Sequence, residues 1–341
     1  MKLVCHESYL LTPRVKLFRL KPTHNSGPIN DIARPGEYFC FSFFDGKKSI
    51  IQRCYTLVSA ENGKYYDFII EDKGGNSASS IISELLSGKN EINVSGRGGN
   101  ISFSRIRDRK NVLLLAGGIG ITLPLALIRE CFKVYGYSAP DQHIMLILSC
   151  TDLASVPGLN ELLDLYTRCD WFTIRINVTR VRPLKKSEVV REGRINLSKD
   201  SIPIIPDTTI VCGSNHFAES LINDVKLRFP YSEIAVEAFT SAQAATTEKD
   251  AESHGCRILV ENECRNITVD KRMTILDNLI QQNIPIRHLC RSGICGNCKF
   301  RLISGTVKSE HDFCLSAKDR SQQIYLACCS YPDADASIEI V

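Results

Sequence analysis

Over roughly the first third of the chain, apolar and polar positions alternate in short runs. Examples are Phe39-Cys40-Phe41-Ser42-Phe43 and Tyr65-Tyr66-Asp67-Phe68-Ile69-Ile70. Turn-forming groups separate the runs: Asp45-Gly46, Glu61-Asn62-Gly63 and Lys73-Gly74-Gly75. A period of two between turns marks half-buried strands, so residues 1–109 predict an antiparallel β-barrel or sandwich. One helix is expected over 79–86, ending before Gly88. From residue 110 the pattern changes. Continuous apolar runs at 112–115, 144–148, 172–176 and 209–211 alternate with helix-period stretches at 123–135, 159–166 and 218–228. Strands without a polar face, joined by helices, predict an α/β parallel-sheet domain over 110–239. Residues 240–254 are polar, rich in Ala and Thr, and read as a linker. Residues 255–341 predict a small α+β domain, with strands near 257–260 and 267–269 and a helix over 274–282.

Composition narrows the function. A chain of 341 residues suits two or three domains, and 43% hydrophobic with 23% charged is ordinary for a globular protein. The net charge of +4 comes without a basic cluster interleaved with aromatics, so no nucleic-acid partner is expected. The N-terminal residues Met1 to Glu7 lack an apolar h-region, and runs such as 144–148 are too short to span a bilayer. Neither a signal peptide nor a membrane segment is expected. Fifteen cysteines, an odd number, with a tight C-terminal group, fit a reducing cytoplasm and a metal site better than a disulfide framework. The remaining eleven read as buried small hydrophobes or inert thiols.

Cys290, Cys295 and Cys298 form C-x4-C-x2-C, and Cys328 follows after 29 intervening residues. This is the plant-type [2Fe-2S] spacing, in which one loop supplies three thiolates and a distant residue the fourth. Gly293 and Gly296 let the loop backbone bend closely around charged sulfides. A zinc site would ordinarily pair two C-x2-C knuckles, and only one is present. A Rieske centre needs two His ligands, and His288 stands alone before the loop.

Four weaker motifs precede this one. In Arg53-Cys54-Tyr55-Thr56-Leu57 the Arg suits a phosphate, the Tyr a flavin ring and the Thr its polar edge. The same run also suits a surface Arg beside a core Tyr. Gly74-Gly75-Asn76-Ser77-Ala78-Ser79 is either a plain loop or a phosphate nest opening onto a helix. Leu115-Ala116-Gly117-Gly118-Ile119-Gly120-Ile121-Thr122 lies between strand and helix, where a nucleotide can approach backbone, yet it is not G-x-G-x-x-G. Val211-Cys212-Gly213-Ser214 is a second strand end of the same sheet.

Taken in order with Glu237-Ala238-Phe239, the chain resembles the ferredoxin–NADP reductase superfamily with a fused C-terminal [2Fe-2S] ferredoxin domain. It is most similar to oxygenase reductase components of the phthalate dioxygenase, carnitine and vanillate oxygenase reductase type. Gly305-Thr306-Val307, His311-Asp312 and Cys328-Cys329-Ser330 add to the likeness. The resemblance implies a β-grasp fold for the third domain. It implies flavin binding by Arg53, Tyr55 and Thr56, a flavin phosphate turn at Gly75, Ser77 and Ser79, and nucleotide binding by Gly118, Gly120, Thr122 and Gly213. Cys212, Glu237 and Phe239 would stand beside the reacting rings. Ser214 replaces the family's Pro after Cys-Gly. Asp152 stands near where many members carry an Arg, and an acid suits free ribose hydroxyls, so NADH is preferred to NADPH. The spacing over 75–88 resembles FAD-binding relatives, so FAD is preferred to FMN.

The expected activity is a reductase. It takes hydride from NAD(P)H and passes single electrons through flavin and cluster to a partner protein, an oxygenase component in the first instance. A reductase for another redox protein, such as a hybrid-cluster protein, is the alternative; a non-enzymatic redox sensor is a third reading. Of the adjacent Cys328 and Cys329, alternation along an extended segment and the Cys-x-Ser ending select Cys328 as the ligand.

Overall fold

The computed structural model describes residues 1–23, 33–44, 50–138, 141–180, 187–239, 256–310 and 312–341. The Asp45-Gly46 turn, the 240–254 linker and His311 lie outside the described residues. The chain divides into two units, Met1–Ala238 and Phe239–Val341.

The first unit begins with β1 (Lys2–Thr12), β2 (Val15–Pro22), β3 (Tyr38–Phe44), β4 (Ile50–Glu61) and β5 (Tyr65–Glu71), followed by α1 (Ala78–Ser87) and β6 (Ile92–Gly98). The strands close into a barrel in the order β1-β2-β5-β4-β3-β6. Alternation decides the core: Phe39 and Phe41 on β3 point inward and meet Phe68 on β5 at ring distances of 5.3 and 5.1 Å. Helix α1 turns Ile82 and Leu86 into the same core. The register opposes Cys40 on β3 and Cys54 on β4 with Cα atoms 4.1 Å apart, and the two form a disulfide. This corrects the expectation of inert thiols for these two. Directly opposed residues of an antiparallel pair bring their side chains together, a consequence of register that spacing along the chain does not show.

A short α2 (Phe103–Ile106) leads to the parallel sheet. Its elements are β7 (Asn111–Gly117), α3 (Thr122–Tyr135), β8 (His143–Cys150), α4 (Leu159–Arg168), β9 (Phe172–Val178), β10 (Val190–Glu192), β11 (Thr208–Ser214), α5 (Asn215–Arg228) and β12 (Glu233–Phe239). The strand order is β10-β9-β8-β7-β11-β12. Residues 112–116 and 144–148 are buried throughout, the reason these strands read as unbroken apolar runs. The chain builds outward from β7 through β10, then returns to place β11 on the other side of β7. That reversal makes a topological switch point between β7 and β11, the place where open parallel sheets receive ligands.

The second unit holds β13 (Cys256–Val260), β14 (Arg265–Val269), α6 (Ile275–Gln281), β15 (Lys299–Ser304), β16 (Val307–Ser309), α7 (Ala317–Ser321), β17 (Ile324–Leu326), β18 (Ser330–Pro332) and β19 (Ala336–Ile340). A mixed sheet ordered β14-β13-β19-β15-β17 shares one core with α6, through Ile258, Val260, Leu279, Phe300, Leu326 and Ile338. The barrel, the parallel sheet and this α+β unit are the three architectures expected.

Candidate active site and cluster loop

At the switch point β7 runs into a 3-10 turn over Gly118–Ile121 that leads into α3. Gly120 is packed so tightly against β11 that a Cβ there would stand 2.3 Å from the carbonyl oxygen of Cys212. Gly118 differs: it is exposed, has φ of +54°, and nothing lies within 4 Å of its would-be Cβ. One glycine permits close packing; the other leaves open backbone facing solvent. Gly213, near the end of β11, lies against the ring of Phe217, 2.6 Å from a would-be Cβ; Phe217 carried no sequence signal of this role. Ser214 caps α5 by accepting the N–H of Phe217.

The barrel meets the sheet at the same place. Thr56, on β4, donates to Glu237 of β12 at 2.5 Å, although the two are 181 residues apart. Thr122, the first residue of α3, donates to Thr56 at 3.4 Å. Cys212 and Glu237 are both buried. Burial pushes the Glu237 carboxyl up to about 7, against the lowering effect of the Thr56 hydroxyl. Burial, followed by the neighbouring Glu237 charge, pushes the Cys212 thiol well up, so it stays protonated. Four expected residues from two domains thus form one buried polar cluster that holds protons near neutral pH. Phe239 is the last residue of β12 and is partly exposed.

Along β4, Tyr55 stacks on Phe41 at 5.7 Å, and burial raises its phenol. Arg53 donates to the carbonyl of Gln52. In the turn between β5 and α1, Gly74 and Gly75 have φ of +77° and +60° with open surroundings. Ser77 caps α1 by accepting the N–H of Ser80, and Ser79 accepts the N–H of Lys73. Asp72, which sequence reasoning passed over, accepts from Gly74 N–H at 2.8 Å and from the Ser80 hydroxyl. The Ser80 hydroxyl and then that N–H hold its carboxyl below the usual range. Asp152 caps the 3-10 turn after β8, accepting the N–H of Ser155 at 2.9 Å.

In the second unit Arg291, Gly293 and Gly296 carry positive φ of 54°, 74° and 71°, and the loop folds back on itself. The N–H of Ala327 donates to the carbonyl of Cys298 at 2.9 Å, which ties the fourth cysteine's segment to the loop. Cys290, Cys298 and Cys328 are buried and Cys295 is partly so. The thiols form two pairs. Cys290 donates to Cys295, which holds the Cys295 thiol below its ordinary value, helped by N–H donors from Asn297 and Leu289. Cys298 donates to Cys328. Two thiol pairs with backbone N–H donors around them suit a two-iron cluster. The contrast expected between Cys328 and Cys329 is not met. Residues Ala327–Cys329 form a 3-10 turn, not an extended strand, and the two sulfurs lie 3.4 Å apart.

Comparisons with known proteins find the same two kinds of domain. Residues 109–199 match the ferric reductase NAD binding domain, and residues 244–333 match the 2Fe-2S iron-sulfur cluster binding domain. The chain is 22% identical over 334 residues to the glycine betaine monooxygenase reductase subunit of Chromohalobacter salexigens, covering 92% of this chain and 88% of that one. It is 25% identical over 227 residues to the NADH oxidoreductase HCR of Escherichia coli, covering 65% of this chain and 63% of that one. The structure of phthalate dioxygenase reductase superposes with a TM-score of 0.65 at 16% identity, over 100% of this chain and 97% of that one. The chain is an NAD(P)H-dependent oxidoreductase with a ferric reductase NAD binding domain and a C-terminal 2Fe-2S cluster binding domain, and along most of its length it is similar to oxygenase reductase subunits.

Proposed function

We propose that this protein is the reductase component of a multicomponent oxygenase, oxidising NADH and delivering electrons one at a time to the oxygenase. The observation that carries the reading is that one chain holds both the switch-point cluster and the set of four thiols made by the cysteine loop and Cys328. Its similarity to an oxygenase reductase subunit along 92% of its length supports the same reading. A bound flavin and [2Fe-2S] cluster would supply the conversion of a two-electron delivery into single electrons. Arg53 would hold a flavin phosphate, Tyr55 would lie against the ring, and Thr56 would hydrogen-bond its polar edge. Gly75, Ser77 and Ser79 would form the phosphate turn at the N-terminus of α1, and the spacing over 75–88, similar to that of FAD-binding relatives, favours FAD over FMN. Gly118, Gly120, Thr122 and Gly213 would shape the nicotinamide nucleotide site. Cys212, Glu237 and Phe239 would line the reacting rings, with Glu237 and Cys212 keeping the site protonated and water-poor. Cys290, Cys295, Cys298 and Cys328 would hold the two irons. No helix among the described residues is long and apolar enough to cross a membrane, and the iron–sulfur set suits the reducing cytoplasm.

Purified protein should be brown, with about one flavin and two irons per chain, and should reduce cytochrome c with NADH. Zinc in place of iron after anaerobic preparation overturns the cluster reading. NADH-driven reduction of a terminal oxygenase component should outpace that of a hybrid-cluster protein; the reverse order assigns the chain to the second acceptor. Chromatography of the released flavin should find FAD; FMN alone overturns that preference. Asp152 would accept from ribose hydroxyls and repel a 2′-phosphate. Because it also caps its turn, Asp152→Ser keeps a capping oxygen and removes the charge. The variant's kcat/KM ratio for NADPH over NADH should rise about tenfold. A higher kcat/KM for NADPH in the unmutated enzyme would sink the idea.

A further inference from the structure

The fourth ligand position holds two cysteines where one suffices. Both are buried, at 9% and 4% exposure, and their sulfurs are 3.4 Å apart. Two thiolates on one tetrahedral metal, each about 2.3 Å from it, stand about 3.7 Å from each other, so the separation is that of two sulfurs sharing one metal's surroundings. The local backbone explains the proximity. A 3-10 turn places successive side chains about a third of a revolution apart, where a strand would place them on opposite faces. Both ends of the turn are tied down. Ala327 N–H donates to Cys298, and the carbonyl of Cys329 accepts the N–H of Glu310 at 2.8 Å. With the backbone held, rotation of a cysteine about χ1 between staggered positions carries its sulfur about 3 Å, which is nearly the whole separation.

We propose that Cys329 is a second, interchangeable ligand for the iron that Cys298 and Cys328 hold, so that the cluster survives loss or modification of Cys328. The inference rests on the [2Fe-2S] reading above. No backbone rearrangement is needed, because the exchange is a side-chain rotation within a turn already closed onto the cluster loop. The exchange conserves charge: one thiolate leaves iron and takes up a proton as the other gives up its proton and binds.

The test uses the full-length protein prepared anaerobically as Cys328→Ala, Cys329→Ala and the double variant. Iron and sulfide per chain, visible circular dichroism and the paramagnetic resonance of the reduced protein are the readouts. Cys329→Ala should match the unmutated protein. Cys328→Ala should retain at least half of its iron with shifted g-values, and Cys329 should resist alkylation until the iron is removed. The double variant should retain less than a tenth. A Cys328→Ala protein as empty as the double variant overturns the proposal, as does a double variant that keeps as much cluster as Cys328→Ala. Should the alanine variant not fold, isosteric Cys328→Ser is held to the same outcomes. Lack of iron in the unmutated protein would instead refute the cluster reading itself.

Discussion

Glu237 shows how much one buried group can set. Burial raises its carboxyl from 4.5 to about 7, and the Thr56 hydroxyl only partly offsets that. The folded chain therefore binds more protons than the unfolded chain between those two values. Stability should fall as pH rises through that window, by about 3 kcal/mol in total, and level off above it. Glu237→Gln keeps an oxygen to accept from Thr56 and removes the ionisation. Denaturant unfolding at pH 5 and pH 8 should show a smaller loss of stability on going to pH 8 in the variant than in the unmutated protein. An equal loss in both would show that Glu237 does not titrate in this way. The same substitution should flatten any rise or fall of hydride-transfer rate near pH 7 if this proton is used in turnover.

The elements around the site are placed by contacts between backbones. The 3-10 turn after β7 touches β11 through Gly120, where a methyl group would sit inside the Cys212 carbonyl. Gly120→Ala must push the turn off the strand, at a cost on the order of 1–3 kcal/mol, the range for overpacking. It should also raise KM for the nucleotide. Gly118→Ala meets no neighbour and suffers only left-handed backbone strain, of roughly 1–2 kcal/mol. Urea midpoints and KM values for the two variants, compared side by side, check this. A larger stability loss at Gly118 would contradict the packing account. The disulfide between Cys40 and Cys54 belongs to this scale as well, since it follows from how β3 and β4 are registered.

At the scale of the whole chain, the proposed flavin-binding residues Arg53, Tyr55 and Thr56 and the proposed iron ligands fall in different units, Met1–Ala238 and Phe239–Val341. Losses at one should leave the other intact, because distant sites without shared partners act independently. Arg53→Ala should weaken flavin retention by about 2–3 kcal/mol, the worth of a charge-assisted phosphate contact, with the iron content unchanged. Flavin and iron assays after dialysis measure both at once. Full flavin occupancy in the variant would remove Arg53 from the flavin site.

Sequence by itself determined the elements and the cluster loop. The helix expected over 123–135 is Thr122–Tyr135, the strand over 144–148 is His143–Cys150, and the helix over 274–282 is Ile275–Gln281. Such features depend on periodicity, caps and turn residues within a few positions, and C-x4-C-x2-C is likewise a local spacing. The strands β16 to β18 have no counterpart in the sequence pattern, because a three-residue segment carries no period. Tertiary structure alone decided that Thr56 reaches Glu237, that Cys40 bonds Cys54, and that Cys328 and Cys329 turn their sulfurs to one side. The first depends on packing a barrel against a sheet, the second on strand register, and the third on a turn whose closure is set by hydrogen bonds to Cys298 and Glu310. Each joins residues through the fold's geometry, and no pattern along the chain encodes the distance between them.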